Sequence, residues 1–302
     1  MNDLEEKRYW VWLSLIKGLG PKKKYKLLKL YNSPKEIYKL KKEELLKIEG
    51  IGEEIARNII LSKNERLLDC HIKYMIENKI EVIHIYEKDY PQNLKEIYDP
   101  PIILYIKGNK KILNNKNIGI VGCRKCTDYG KKAAEYFAYN LAKENINIIS
   151  GLASGVDSYA HLGCLSTYNK SQNCGKVNSN CGKTIAVVGN GLDIVYPKEN
   201  IELANEIRKS GGAIISEYPS GTKPDKMNFP ARNRIISGIS CGIIVVEAKE
   251  KSGTLITVDF ALEQGRDVFV VPGNINSINS IGTNHLIKQG AKMVTVYEDV
   301  IK

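Results

Sequence analysis

No stretch of the 302 residues approaches the ~20 uninterrupted apolar residues that a bilayer-spanning helix needs. Met1 to Arg8 is charged and lacks the apolar segment of a secretory leader, so a cytoplasmic protein with no membrane partner is expected. Cysteine is present without a pattern. Of seven, Cys123 and Cys126 form a C-x-x-C, no second pair stands at metal-site spacing, and an odd count in a cytosolic chain argues for free thiols. Cys174 and Cys181, in a polar insertion, make an equally weak metal pair, and no metal or other cofactor is expected. Arginine is scarce, eight among 45 basic residues. The formal net charge of +11 prompts a nucleic-acid partner, but lysine is abundant everywhere, so the charge alone says little. The placement of three arginines in or beside strand-end loops says more, because a planar guanidinium grips phosphate bidentately.

A dinucleotide fingerprint is also missing. The organising stretch is Asn117 to His161: an apolar run Asn117–Val121, a break at Gly122-Cys-Arg-Lys125, a helical pattern from Tyr129 through Leu141, a second apolar run Ile146–Ile149, and the glycine loop Ser150–Gly155. Strand, loop, helix, strand, loop opens a βαβ unit, and ligands of such sheets sit outside the carboxyl ends of the strands. The first turn does not follow G-x-G-x-x-G, and the second strand ends at Ser150 rather than at the acid that holds the ribose of NAD. An anion site that is not a dinucleotide site is the better reading. Glycine turns that serve only the fold are the plainer alternative.

Ahead of this lies a small helical module, with apolar positions at helical spacing and two glycine turns, Gly18-Leu-Gly20 and Gly50-Ile-Gly52, in the manner of a helix-hairpin-helix or SAM-like domain. Residues 1–64 carry 15 basic and 9 acidic residues, but Glu49, Glu53 and Glu54 crowd the second turn and repel phosphate. Residues 1–65 are expected as an accessory module and 66–302 as the sheet domain, able to fold from about Arg66 onward. Val82–Tyr86 and the segment after Pro101 add edge strands. Ser166–Lys183 is polar and aperiodic and is expected to be an exposed loop. Beyond it strands and helices alternate to the end, which predicts an α/β fold with a doubly wound, Rossmann-like parallel sheet.

Strand ends of this sheet carry groups suited to an anion: Arg124 and Lys125, then Ser154 and Gly155, then Lys198, then Lys226, Arg232 and Arg234, then Ser252, Gly253 and Thr254. Phe229 is an aromatic ring among them, and bases stack on such rings. Each has a plainer reading: a helix-start staple for Phe229, buried ion pairs for Arg232 and Arg234. Asp157, Asp193 and Glu217 are strand-end acids that organise loops, and no catalysis is assigned to them.

Ser150-Gly-Leu-Ala-Ser-Gly-Val-Asp157, Gly189–Pro197, Ser216–Gly221, Phe229–Gly238, Val245–Ala248, Ser252–Leu255 and Gly282–Asn284 follow one another in the order of the conserved blocks of a known family. From about Tyr90 onward the chain resembles the DNA-processing protein A family, also called DprA or Smf. The resemblance implies a single-stranded DNA binder of natural transformation, not an enzyme, which protects incoming strands, loads a RecA-type recombinase, and acts as a homodimer joined through the sheet domain. Arg124 looks like the family's phosphate-binding arginine, Lys226 and Phe229 like its lysine and base-contacting aromatic, and Lys198 like a basic residue after Y-P. Many members continue into a winged-helix domain, and none is expected here. Two other classes compete. One is a lysine-decarboxylase-like nucleotide phosphoribohydrolase, whose catalytic glutamate would fall at Thr257; the other is a nucleotide-sensing module.

Overall fold

Nine strands form one sheet in a computed structural model that describes residues 7–173 and 181–301. They are β1 (Glu81–His84), β2 (Ile103–Gly108), β3 (Asn117–Val121), β4 (Asn147–Ser150), β5 (Thr184–Val188), β6 (Ala213–Ser216), β7 (Gly242–Val245), β8 (Asp267–Val270) and β9 (Lys292–Met293). Their order is β1-β2-β6-β5-β4-β3-β7-β8-β9. From β6 to β9 every pairing is parallel, and β1 and β2 add an antiparallel edge. The order reverses at β3, the start of both half-sheets. The mostly parallel Rossmann-like sheet and its added edge are thus as expected. β9 spans only Lys292 and Met293.

Alternate residues of each central strand face opposite helical layers. Ile118, Ile120, Ile148 and Ile244 pack with α8 (Asp128–Lys143) and α9 (Val156–Asn173). Thr127 caps α8 by accepting the Gly130 N–H at 3.1 Å. On the other face Val121, Ile149, Val187, Ile243 and Val245 pack with α11 (Asn228–Ile239) and α12 (Gly253–Glu263). The helix α10 (Ile201–Lys209) covers β5 and β6, α13 (Ile281–Lys288) follows β8, and α14 (Glu298–Ile301) closes the described chain.

The front module comprises α1 (Arg8–Leu15), α2 (Pro21–Tyr31), α3 (Pro34–Lys39), α4 (Lys42–Leu46) and α5 (Glu53–Leu61); α6 (Glu65–Glu77) and the short α7 (Gln92–Lys95) lead on to the sheet. Gly18 and Gly50 take φ of 74° and 87°, the left-handed conformation a non-glycine residue rarely adopts, so the two turns repeat the same backbone device. The module is not separately cored. Trp10, Trp12 and Leu27 belong to the same apolar cluster as Val82, Tyr105 and Ile215. Trp10 stacks on His84 with ring centroids 4.0 Å apart, and Ser14 hydrogen-bonds the buried Tyr105 hydroxyl.

One expected loop is partly a helix. The expected loop began at Ser166, but α9 continues through Asn173, with Leu165 and Thr167 buried. Short polar side chains hide this period because they bond back onto the helix: Ser166 Oγ donates to Leu162 O and Thr167 Oγ1 to Cys164 O, at 3.0 and 2.7 Å. The rest of that insertion, 174–180, lies outside the described residues.

Candidate nucleic-acid interface

A cleft of about 630 Å³ opens beyond the carboxyl ends of β3, β4 and β7, at the strand where the sheet order reverses. Non-local pairing of β3 with β7 creates it, by setting the loop after Val121 beside the loop after Val246. Its walls hold Arg124 and Lys125 from the first loop, Lys226, Phe229 and Arg232 around the start of α11, and Ser252, Gly253 and Thr254 at the start of α12. Eight of the twelve sequence-chosen residues therefore meet in one place.

The aromatic part is larger than Phe229 alone. Tyr196 stacks on Phe229, centroids 5.6 Å apart and planes 25° from parallel, and the Arg124 guanidinium lies 5.5 Å from the Phe229 centroid. Lys249 and Lys251 also line the cleft. Arg124, Lys125, Lys226, Lys249 and Lys251 are all exposed, and among the described residues none pairs with a carboxylate. Five free cations around two stacked rings suit a phosphate backbone with an exposed base. Tyr196, Lys249 and Lys251 were missed. Their only signal was position, Tyr196 within the Tyr196-Pro197 pair and the lysines immediately before Ser252-Gly253.

The floor is built differently. Arg232 is 5 % exposed; its Nη1 donates to Gly151 O at 2.7 Å and to Val187 O, and its Nε has no partner among the described residues. Asp157, also buried, accepts the Gly151 and Ala153 N–H groups at 3.1 and 3.4 Å. Burial pulls the Arg232 guanidinium down to about 10, against the opposing pull of Asp157, so it stays charged at neutral pH. Burial raises Asp157, and Arg232 opposes that rise. Arg232 thus ties the β4 loop to α11 and β5, and Asp157 holds the same loop to the start of α9.

Four residues do not line the cleft. Arg234, expected to meet phosphate, is 2 % exposed and turns into the protein: Nη2 pairs with Glu217 at 2.8 Å and Nε with Asp99 at 3.1 Å. Two residues along a helix point about 200° apart, so Arg232 faces the cleft floor while Arg234 faces Glu217 and Asp99. Lys198 is exposed on a short 3₁₀ turn away from the cleft wall, and Ser154 is exposed on its loop. Gly155 serves the architecture. Its φ is +84°, and a Cβ there would sit 2.3 Å from Cys123 O and 2.4 Å from Arg124 O. Only glycine lets the two strand-end loops approach so closely, and Val156 N–H then bonds Cys123 O at 3.2 Å.

No group of three potential metal ligands occurs among the described residues. Burial raises both the Cys123 and Cys126 thiols, which keeps them protonated. Asp157 is the one carboxylate in the cleft wall, and Thr257 stands buried where the phosphoribohydrolase resemblance would need an acid.

A family model for the DNA recombination-mediator protein A matches residues 81–302. The chain belongs to this family. A second model, the SAM-like helix-hairpin-helix tandem, matches residues 13–63. Among DNA recombination-mediator relatives, the DNA processing protein DprA of Streptococcus pneumoniae is 40% identical over 287 residues, 88% of this chain and 96% of that one. The Bacillus subtilis DprA is 43% identical over 227 residues, 75% of this chain and 72% of its own. The X-ray structure of the S. pneumoniae DprA superposes with a TM-score of 0.81 at 36% identity, covering 97% and 96% of the two chains. A DNA processing protein A from Helicobacter pylori, whose structure is described in terms of a unique single-stranded DNA binding mode, superposes at 0.63 with 30% identity, covering 74% and 94%. No helix among the described residues is long and apolar enough to cross a membrane.

Proposed function

We propose that this chain is a cytoplasmic single-stranded DNA-binding protein of natural transformation that protects incoming strands and loads a RecA-type recombinase, and that it is not an enzyme. The observation that carries the binding reading is the cleft, with five unpaired cations around the stacked Tyr196 and Phe229. The H. pylori relative, described as a single-stranded DNA binder, supports it. Family membership supports the recombinase role. A homodimer through the sheet domain accords with exposed Ile275, Ile278 and Met293 at the β9 end of the sheet. Residues 1–65 serve as an accessory module and 66–302 as the binding domain.

A salt titration of oligonucleotide affinity tests the cleft. Each phosphate contact contributes a log–log slope of about −0.7 on single strands. Arg124→Ala should weaken binding and flatten the slope by roughly one contact. Phe229→Ala should weaken binding at nearly unchanged slope, because stacking releases no counterions. Duplex should compete poorly, having no free base face. Wild type and both variants giving coincident lines, with folds intact by circular dichroism, would sink the reading. Recombinase loading is checked separately, as faster RecA-type strand exchange on precoated single strands.

A further inference from the structure

The two glycine turns of the front module differ in their surroundings. Around the second, cations are neutralised: Lys42 pairs with Glu53 and Lys26 with Glu49. Around the first, Lys17, Lys22 and Lys23 are exposed and pair with no carboxylate among the described residues. Lys22 instead places its ammonium 4.2 Å from the ring centroid of Tyr98. Tyr98 is 84 % exposed, although it comes from the sheet domain's own segment between α7 and β2.

This spot adjoins the cleft through Arg234. Asp99, the neighbour of Tyr98, takes Arg234 Nε, while Glu217 takes Arg234 Nη2. Glu217 opens the loop 217–227, which bears the exposed Lys223 and carries Lys226 to the cleft. The same Glu217 lies near Lys24 of α2, whose ammonium is pulled down to about 8 by burial and pushed back up by the Glu217 charge. Tyr98, the start of α2 and the root of the cleft loop are thus neighbours. An exposed ring under a cation, beside unpaired lysines, repeats at this junction the chemistry of Phe229 under Arg124.

We propose that a single strand leaving the cleft runs along the loop 217–227 and is held again at the junction, a base stacking on Tyr98 and phosphates meeting Lys22 and Lys23. The helical module then lengthens the binding track rather than merely capping the sheet. The proposal rests on the cleft being the primary site, and a comparison of strand lengths separates the two.

The probes are oligothymidylates of about 6 and about 30 nucleotides, the shorter within the ~4–16 nucleotide range of one compact binding groove. Tyr98→Ala should lower affinity for the longer strand roughly tenfold, the scale of one lost stack, and leave the shorter unchanged. Lys22→Ala with Lys23→Ala should flatten the salt slope on the longer strand alone, by about 1.4. Tyr98→Ala matching wild type on the longer strand, or losing equally on both, overturns the track. Failure of wild type to bind the shorter strand overturns the cleft instead. Tyr98 supports no core packing, so its removal leaves the fold intact.

Discussion

Arg232 and Arg234 show how two identical side chains, one residue apart, acquire different work. Arg234 is held by Glu217 and Asp99 away from solvent, and removing one member of such a buried network strands the others. Arg234→Met should therefore cost about 3 kcal/mol of unfolding free energy. Arg124→Ala, at an exposed position, should stay within about 0.5 kcal/mol of wild type while losing DNA affinity. Urea melts paired with binding curves check both, and a stable Arg234→Met with weak binding would return Arg234 to the phosphate site. His161 gives a pH signature. It is fully buried, and burial, aided by the positive charge of Arg232, pulls its imidazole down to about 3 from 6.5. The unfolded chain binds this proton between pH 6.5 and 3 while the folded chain does not, so stability should fall with acid across that window. His161→Gln should have a shallower acid limb in melting temperature against pH. An unchanged limb would remove His161 as a source of acid sensitivity.

At the level of elements, β3 was legible residue by residue, because a short isoleucine- and valine-rich run between Lys116 and Gly122 leaves few alternatives. The two strand-end loops around Gly155 were legible as glycine-rich, but their contact was not, since it depends on β3 and β4 pairing in register. Gly155→Ala should force Cys123 O and Arg124 O away from the new Cβ and strain a positive φ, at roughly 1–3 kcal/mol, and DNA affinity should fall with it because Arg124 moves. A variant with unchanged melting temperature and affinity would show that the loops have slack. Most of the polar and aromatic wall of the cleft was visible beforehand. Arg124, Lys226 and Phe229 stand near strand ends that the sequence pattern locates. Lys249 and Lys251 were overlooked although Ser252 on the same loop was chosen, because lysine is abundant along the whole chain and marks no position by itself. Burial of Arg234 was hidden because its partners Asp99 and Glu217 come from distant segments.

For the whole molecule, the sequence suggests two domains, and the helical module shares one apolar cluster with one face of the sheet while the other face has its own. Cutting the chain before Arg66 would uncover Val82 and Tyr105 and remove the Ser14 partner of the Tyr105 hydroxyl. The truncated protein should thus melt several degrees lower and bind hydrophobic dyes more strongly than full-length protein. Equal melting temperatures would show that the module merely rides on the sheet. The same shared core sets an order of events during synthesis. Tyr105 of β2 aligns with Ser216 of β6, so the edge of the sheet that the helical module covers cannot close until most of the chain has been translated. Until Ala213 leaves the ribosome, β2 offers an unpaired strand edge to any neighbour. Non-local pairing of this kind is slow and exposed to aggregation, so the protein's vulnerability to misassembly is concentrated in its nascent life.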